Sequence, residues 1–282
     1  MKTGLVMEGG SMRGMYTAGV TDVLMENDIE FDGAIGVSAG AAFGCNYKSH
    51  QIGRAIRYNM KYCMDERYVG IKSLIKTGDL YGNDFCYHEI PEELDVFDTE
   101  TFKASPMEFY VTCTDAQTGK PVYHKCENGD QNDLQWIRAS AAMPVVSNIV
   151  EIDNMLLSDG GTADSIPVEF FRSIGYTKNV VILTQPEGYI KKKNSLLPAI
   201  RLAVKKYPEI VNTLAIRHDM YNKELEYIKE HEQSGELFVL KPSEPIKVRI
   251  VERRPEKLKE VYTLGRNDAQ KQLEKIKSFV EK

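Results

Sequence analysis

VMEGGSMRG (residues 6–14) and GVSAG (residues 36–40) are two glycine-rich turns near the start of the chain. Each turn follows a short apolar run that predicts a strand, TGLVME at 3–8 and FDGAIGV at 31–37. Apolar or small residues at helical spacing follow each turn. The order strand, turn, helix, repeated once, predicts two parallel strands joined by a crossover helix, which is typical of an α/β fold.

The two turns are expected to lie close together in the folded protein. Parallel strands joined by one crossover have their carboxyl ends at the same edge of the sheet, where α/β proteins bind ligands. Each turn also opens a helix, whose first backbone N–H groups lack partners within the helix. We therefore expect Gly9, Gly10, Ser11 and Ser38 to share one crevice.

The second turn is a candidate nucleophile elbow. A serine held between a strand and a helix exposes its Oγ, and glycines at positions 36 and 40 leave room around that turn. Gly36, Ser38 and Gly40 have this spacing. An ordinary turn of small residues is the alternative interpretation.

The first turn is a candidate oxyanion loop. Backbone N–H groups of Gly10 and Ser11 can hold the negative oxygen of an acyl-transfer intermediate, and Arg13 can fix the loop or strengthen its positive potential. A phosphate loop of a nucleotide-binding protein is the alternative. That fingerprint needs a glycine where Ser11 stands and an acid at the end of the second strand, whereas Asp32 lies at its start.

A nucleophilic serine also needs a base. Asp159 in LLSDGG follows an apolar run and precedes two glycines, which repeats the strand-end context of the other turns. A simple Asp-Gly turn and a competing strand-end carboxylate, Asp115 in TCTDA, are the alternatives. None of the histidines stands in such a turn; they are His50, His88, His124, His218 and His231.

The rest of the chain alternates strands and helices and then changes character. A hairpin is predicted over 108–126, a helix over 132–143, and strands over 154–161 and 179–186. After about residue 187 the sequence becomes helix-rich and charged, with two short strands separated by prolines and two closing helices. We expect two units, residues 1–187 and 188–282, and interpret the basic run YIKKK at 189–193 as a solvated loop.

Composition limits the function classes. The 282 residues are 42% hydrophobic and carry a formal net charge of −5, which argues against a nucleic-acid partner. The sequence lacks the apolar region of a secretory signal and any run of about 18 apolar residues. Five cysteines without a CxxC pair fit reduced thiols rather than a zinc site, so we expect a cytoplasmic protein without a bound metal.

Together the three motifs resemble those of the patatin-like phospholipases. The loop runs from Gly9 to Arg13 and Gly14, the elbow is GVSAG, and the aspartate motif is Asp159 with Gly160 and Gly161. ASAAMP at 139–144 resembles the stretch that precedes the family's aspartate. The resemblance covers about residues 3–185, and the tail over 221–269 resembles an accessory C-terminal region found in a bacterial subgroup.

The resemblance implies a three-layer α/β/α sandwich with a mostly parallel central sheet, followed by a smaller C-terminal α+β region. It implies a serine acyl hydrolase in which Ser38 attacks a lipid or fatty-acyl ester, Asp159 accepts its proton, and no metal or organic cofactor is needed. A lipid substrate implies transient contact with a membrane surface. Two positions depart from the family pattern: Ser11 replaces a frequent glycine, and Glu8 replaces an aspartate. A non-catalytic lipid-binding or regulatory protein on the same fold is the alternative.

Overall fold

A mixed sheet with helices on both faces forms the centre of the protein, for which a computed structural model describes residues 1–281. Within those residues the strands are β1 (Thr3–Met7), β2 (Gly33–Val37), β3 (Glu108–Asp115), β4 (Pro121–Cys126), β5 (Val150–Ile152), β6 (Met155–Asp159), β7 (Lys178–Ile182) and β8 (Leu237–Leu240). The α-helices of the same residues are α1 (Gly14–Glu26), α2 (Ala39–Lys48), α3 (Arg54–Tyr62), α4 (Ile71–Thr77), α5 (Thr99–Ala104), α6 (Gln131–Ser140), α7 (Val168–Ser173), α8 (Leu197–Ala203), α9 (Pro208–Gln233) and α10 (Pro255–Glu281).

The strand order is β5-β6-β3-β2-β1-β7-β8, and the five strands from β3 to β8 in that order are parallel. Alternate residues of β1 pack in different hydrophobic clusters, one on each face of the sheet, as expected for a sheet covered on both faces. Leu5 and Met7 pack in the cluster that contains Tyr16 of α1, whereas Val6 packs with Phe171 of α7. The expected α/β/α sandwich with a mostly parallel sheet is confirmed.

The position of β6 brings the aspartate motif close to the glycine-rich loop and to the elbow. β4 pairs antiparallel with β3 along one edge, completing the predicted hairpin. β2 occupies the other edge as far as Thr112, and β6 continues that edge from Cys113, where Asp159 is its partner. The last residues of β2 and β6 therefore point toward each other, and Asp159 arrives beside Ser38.

The C-terminal part of the chain differs from the sequence prediction in two respects. Only β8 of the two expected strands forms, and residues 241–254, which we term the strap, contain neither helix nor strand. Pro242 and Pro245 lack the N–H that a strand ladder needs, and apolar side chains of the strap pack against the main core instead. The two expected closing helices are one continuous helix, α10.

Close packing explains why α10 is unbroken. Gly265, a common sign of a helix end in a sequence, lies inside α10 where the Tyr16 carbonyl of α1 leaves no room for a side chain. In the same contact, Gly19 of α1 lies against the Tyr262 carbonyl of α10, which leaves no room for a side chain at position 19. Since β8 extends the main sheet and α10 covers α1, the residues on both sides of position 187 share one sheet, and the division into two units stays a prediction.

No helix within residues 1–281 is long and apolar enough to cross a lipid bilayer.

Candidate active site

Ser38 lies in the turn between β2 and α2 with φ 54° and ψ −120°. This backbone conformation is unfavourable for a residue with a side chain and costs about 1–3 kcal/mol. Hydrogen bonds on both sides hold it in place. The Ser38 N–H donates to Ser140 Oγ at 2.9 Å, and its carbonyl accepts from the N–H groups of Ala41 and Ala42 at 3.0 and 2.9 Å.

The glycines of the elbow are required by close approaches. A side chain on Gly40 would collide with the Met7 carbonyl at the end of β1, and a Cβ on Gly36 would lie 2.5 Å from the Gly40 carbonyl oxygen. The start of α2 therefore packs directly on the ends of β1 and β2. This contact fixes the direction in which the Ser38 side chain leaves the turn.

Asp159 ends β6 and is held at its backbone as well as at its side chain. Its Oδ2 accepts a hydrogen bond from Ser38 Oγ at 2.7 Å, and its Oδ1 accepts from the Gly161 N–H at 2.8 Å. The Asp159 N–H donates to the Ala142 carbonyl, and its own carbonyl accepts from Thr114 Oγ1, both at 2.8 Å. The carboxylate is thus within proton-transfer reach of the serine hydroxyl.

Burial raises the pKa of the Asp159 carboxyl above its ordinary value. The Ser38 hydroxyl, the Gly161 N–H and the positive charge of Arg217 act in the opposite direction without cancelling that effect. A carboxylate with a raised pKa is a stronger base than one in water. The environment therefore suits Asp159 to accept the proton of a hydroxyl group.

Gly9, Gly10 and Ser11 form the loop between β1 and the first helical turn. Within residues 1–281 their backbone N–H groups have no hydrogen-bond acceptor, and all three residues line the same cleft as Ser38. A Cβ built on Gly9 would lie 3.2 Å from Ser38 Cβ, so the loop passes directly beside the elbow. The two turns share one crevice, as the sequence predicts.

Ser11 has φ 50°, in the left-handed region that favours glycine. Its hydroxyl donates to the Ile250 carbonyl of the strap at 2.7 Å, and the Tyr81 hydroxyl donates to the same carbonyl at 3.2 Å. The Ser11 side chain therefore connects the loop to the C-terminal part of the chain.

The remaining motif residues pack around this centre. Arg13 lines the cleft, and its buried Nε has no hydrogen-bond partner among the described residues. A Cβ on Gly14 would lie 2.7 Å from Ala39 Cβ, so the loop packs against the start of α2. A side chain on Gly160 would collide with the Thr112 carbonyl, and Gly161 contacts Asp159.

Glu8 is buried directly after the end of β1. Its Oε2 accepts a hydrogen bond from the Thr184 N–H at 2.5 Å, and its Oε1 accepts from the Tyr221 hydroxyl of α9 at 2.7 Å. The Glu8 side chain thereby links the loop region to α9.

Two cavities meet at Ser38. The inner cavity, about 110 Å³, is lined mainly by apolar and aromatic side chains, among them Ala42, Phe43, Tyr58, Tyr68, Ile137 and Met143. Its walls come from α2, α3, α6 and the segment between α3 and α5. The outer cleft, about 340 Å³, is more polar than the inner cavity and is lined by Asp159, Arg13, Lys191 and Arg217 among other residues.

Some sequence candidates lie elsewhere. Asp115 does not line either cavity; its Oδ1 accepts hydrogen bonds from Gln117 and Thr118 in the hairpin turn. Within the described chain none of the five histidines lines either cavity. Tyr58 and Tyr68 line the inner cavity, whereas Tyr62 packs edge-on against Phe85.

The sequence did not identify three residues of this region: Ser140, Lys191 and Arg217. Ser140 lies in ASAAMP, which provides a motif-level signal for it. Lys191 belongs to YIKKK, and the interpretation as a solvated run holds for Lys192 and Lys193 but is wrong for half-buried Lys191. Arg217 lies in charged helical sequence, where no local pattern distinguishes it.

Comparison with known proteins places this geometry in a family. A family model described as patatin-like phospholipase matches residues 5–172, more than half of the chain. The chain belongs to the patatin-like phospholipase family. A second model, a domain of unknown function termed DUF6363, matches residues 207–281. Family membership indicates lipid acyl hydrolysis in general terms.

Among relatives of this patatin-like protein, YjjU of Escherichia coli, described as uncharacterized, is 29% identical over 277 residues, covering 93% of this chain and 74% of that protein. A Caenorhabditis elegans protein described as putative patatin-like phospholipase domain-containing protein M110.7 is 26% identical over 191 residues, covering 64% of this chain and 16% of that protein. The solved structure of VipD from Legionella pneumophila aligns with 97% of this chain and 67% of that one, with a TM-score of 0.47 and 12% identity.

Proposed function

We propose that this patatin-like protein is a serine acyl hydrolase acting on a lipid or fatty-acyl ester through Ser38 and Asp159. The 2.7 Å hydrogen bond between Ser38 Oγ and the buried Asp159 carboxylate carries the proposal. The turn conformation of Ser38 and the unpaired N–H groups of Gly9, Gly10 and Ser11 support it.

In the first half-reaction Ser38 Oγ bonds to the ester carbonyl carbon while its proton passes to Asp159. The carbonyl oxygen becomes an oxyanion, which the loop N–H groups stabilise; one such donor is worth about 3–4 kcal/mol in other enzymes. The intermediate then expels the alcohol, which takes the proton from Asp159 and leaves an acyl-enzyme. Water, deprotonated by Asp159, attacks the acyl-enzyme, and Ser38 regains its proton as the fatty acid leaves.

The inner cavity is the proposed acyl site, because it begins at Ser38 and has apolar walls. An engineered cavity of about 150 Å³ binds benzene, so about 110 Å³ suits an acyl segment of a few carbons.

Exposed Ile71 and Ile75 lie one helical turn apart on α4 and offer apolar side chains for transient contact with a membrane surface.

Fluorophosphonate labelling and p-nitrophenyl butyrate hydrolysis test the proposal on wild type, Ser38→Ala and Asp159→Asn. Both variants are expected to lose turnover by about a thousandfold or more, since each removes a group that acts in the reaction. Ser38→Ala should not label. Asp115→Asn, at the competing strand end, serves as the matched carboxylate control and should retain wild-type turnover.

Thermal unfolding of each variant checks that loss of activity is not loss of fold. Near-wild-type hydrolysis by Ser38→Ala or Asp159→Asn would contradict the dyad. A folded wild type that neither labels nor hydrolyses any ester would favour the non-catalytic lipid-binding alternative.

A further inference from the structure

Three cationic side chains line the outer cleft that contains Ser38 and Asp159. They are Arg13 from the loop, Lys191 from the segment after β7, and Arg217 from α9. Among residues 1–281 none of the three forms a salt bridge, although the chain as a whole carries a net negative charge. Unpaired cations grouped in a partly buried cleft point to an anionic ligand.

Lys191 is held in place by contacts that its neighbours lack. Its N–H donates to Asn222 Oδ1 at 2.8 Å, and its carbonyl accepts from Asn222 Nδ2 at 3.1 Å. Its ammonium lies 4.2 Å from the centre of the Tyr221 ring, a cation–π contact. Lys192 and Lys193, by contrast, are exposed.

Arg217 is also anchored without being neutralised. Its Nε donates to the Gly161 carbonyl, and its Nη2 lies 3.3 Å from Ser165 Oγ. These acceptors are neutral, so Arg217 forms no salt bridge, although its charge also acts on the Asp159 carboxylate. Arg13 lines the same cleft, and its buried Nε has no partner in the described chain.

Two carboxylates also line the cleft, so its three cations outnumber them by one. Glu8 accepts from Thr184 and Tyr221, and Asp159 accepts from Ser38 and Gly161. Burial is the largest cause of the lowered pKa of Lys191, about 8; Arg217 and Arg13 lower it further, whereas Glu8 and Glu224 act in the opposite direction.

We propose that this cleft binds a phosphate or carboxylate near the scissile ester of the substrate, and that its three cations repel a quaternary ammonium group beside that anion, so that net-anionic lipids are selected over zwitterionic ones. This inference rests on the proposed function. Lys191 and Arg217 both follow residue 172, where the patatin-like match ends, so the C-terminal part of the chain supplies the selectivity. The apolar cavity on the other side of Ser38 would then hold the acyl chain.

The kinetic test compares dihexanoyl phosphatidylglycerol with dihexanoyl phosphatidylcholine, both monomeric and with identical acyl chains. Both lipids offer the same phosphate, but only phosphatidylcholine brings a second group of positive charge toward Arg13, Lys191 and Arg217. Wild type is therefore expected to have a higher kcat/KM on phosphatidylglycerol by about tenfold to a hundredfold. Lys191→Gln should reduce that ratio by about tenfold. Lys192→Gln, the exposed neighbour, should retain the wild-type ratio.

Equal kcat/KM values for the two lipids in wild type would overturn the proposal. So would loss of the ratio in Lys192→Gln, because general surface charge would then explain the preference. A Lys191→Gln variant with lower activity on both lipids in the same proportion would make Lys191 structural and equally overturn its assignment.

A binding test in the Ser38→Ala background separates this proposal from the catalytic one. Isothermal titration calorimetry is expected to show tighter binding of dihexanoyl phosphatidylglycerol than of dihexanoyl phosphatidylcholine, and Lys191→Gln should remove the difference. If wild type hydrolyses no ester, the proposed function fails and this titration still decides the head-group site. Inorganic phosphate binding as tightly as the anionic lipid would assign the cleft to a free anion and overturn the head-group assignment.

Discussion

Ser38 and Asp159 derive their chemistry from the backbone that presents them. Ser38 has the unfavourable φ of 54°, which turns its hydroxyl away from both β2 and α2 toward the crevice. Asp159 is buried, yet each of its carboxylate oxygens accepts a hydrogen bond. Neither side chain needs to move to reach the other, which is the preorganisation that proton transfer requires.

The raised pKa of Asp159 predicts that activity is lost at a higher pH than an ordinary aspartate would give. As the proposed base, Asp159 must be ionised, so kcat/KM should fall as pH decreases through a pKa above that of an ordinary aspartate. Arg217 lowers this pKa, so Arg217→Gln should move the acid limb to higher pH. Arg217→Lys, which keeps the charge, should lie nearer wild type.

The pH–rate profile for p-nitrophenyl butyrate measures this effect. The exposed Arg201→Gln on α8 is the control and should leave the acid limb in place. An acid limb that stays fixed in Arg217→Gln, or moves to lower pH, would show that Asp159 is not the group that titrates.

Lys191 predicts a second pH effect, on selectivity. Its pKa of about 8 reflects burial first, with Arg217 and Arg13 lowering it and Glu8 and Glu224 raising it. The preference for phosphatidylglycerol over phosphatidylcholine should therefore weaken as pH rises through about 8 and Lys191 loses its charge. In Lys191→Gln the kcat/KM ratio of the two lipids should change less over the same range, and an equally steep change would assign the effect to another group.

At the residue scale the sequence predicted the motif residues, Arg13 among them, but not the other two cations of the cleft, Lys191 and Arg217. Ser38 and Asp159 stand in short patterns of fixed spacing, each at a strand end. Lys191 and Arg217 reach the cleft through tertiary packing of the segment after β7 and of α9. No local pattern separates a half-buried lysine from its two exposed neighbours.

Among the elements, α1 and α10 show how closely helices can pack. Every residue of α1 from Gly14 to Met25 is buried, because α10 covers the side that the sheet and α2 leave open. Gly19 and Gly265 let the two backbones approach to contact. The sequence predicted α1 well, but it predicted two helices where α10 is one.

Gly265→Ala should destabilise the protein, although alanine favours helix by about 1 kcal/mol over glycine. The new Cβ would collide with the Tyr16 carbonyl, a backbone atom, and such overpacking costs about 1–3 kcal/mol. Asn267→Ala, exposed on the same helix, should be neutral or slightly stabilising. Urea unfolding measures both, and a more stable Gly265→Ala would disprove the contact.

The strap is the element that sequence patterns described least well. Its alternating apolar residues resemble a strand, yet its carbonyl at Ile250 is bound by the Ser11 and Tyr81 hydroxyls rather than by a neighbouring strand. Side-chain donors more than 160 residues away in the sequence determine its course. Such contacts follow from the finished fold and have no local signature.

For the whole molecule, the sheet is built from both parts of the chain. β1 lies between β2 and β7, and β8 adds to the far side of β7. The patatin-like match ends at residue 172, so the strand that covers the second edge of β1 comes after it.

A fragment of residues 1–187 should therefore fail to fold cooperatively. It would expose the α1 surface that α10 covers, leave β7 as an open edge, and remove the Tyr221 partner of Glu8. Far-UV circular dichroism during heating and size-exclusion chromatography measure the outcome. Coexpression of residues 188–282 should restore a soluble complex. A monomeric fragment with a sharp melting transition would support two independent units instead.

The sheet order also has a consequence for biosynthesis. β1 and α1 are synthesised well before α10, which covers α1. Until α10 has been synthesised, the nascent chain exposes the apolar face of α1, a surface of the kind that chaperones protect. Lys191 and Tyr221 are likewise synthesised after Ser38 and Asp159, so the proposed anion site is completed later than the proposed catalytic pair.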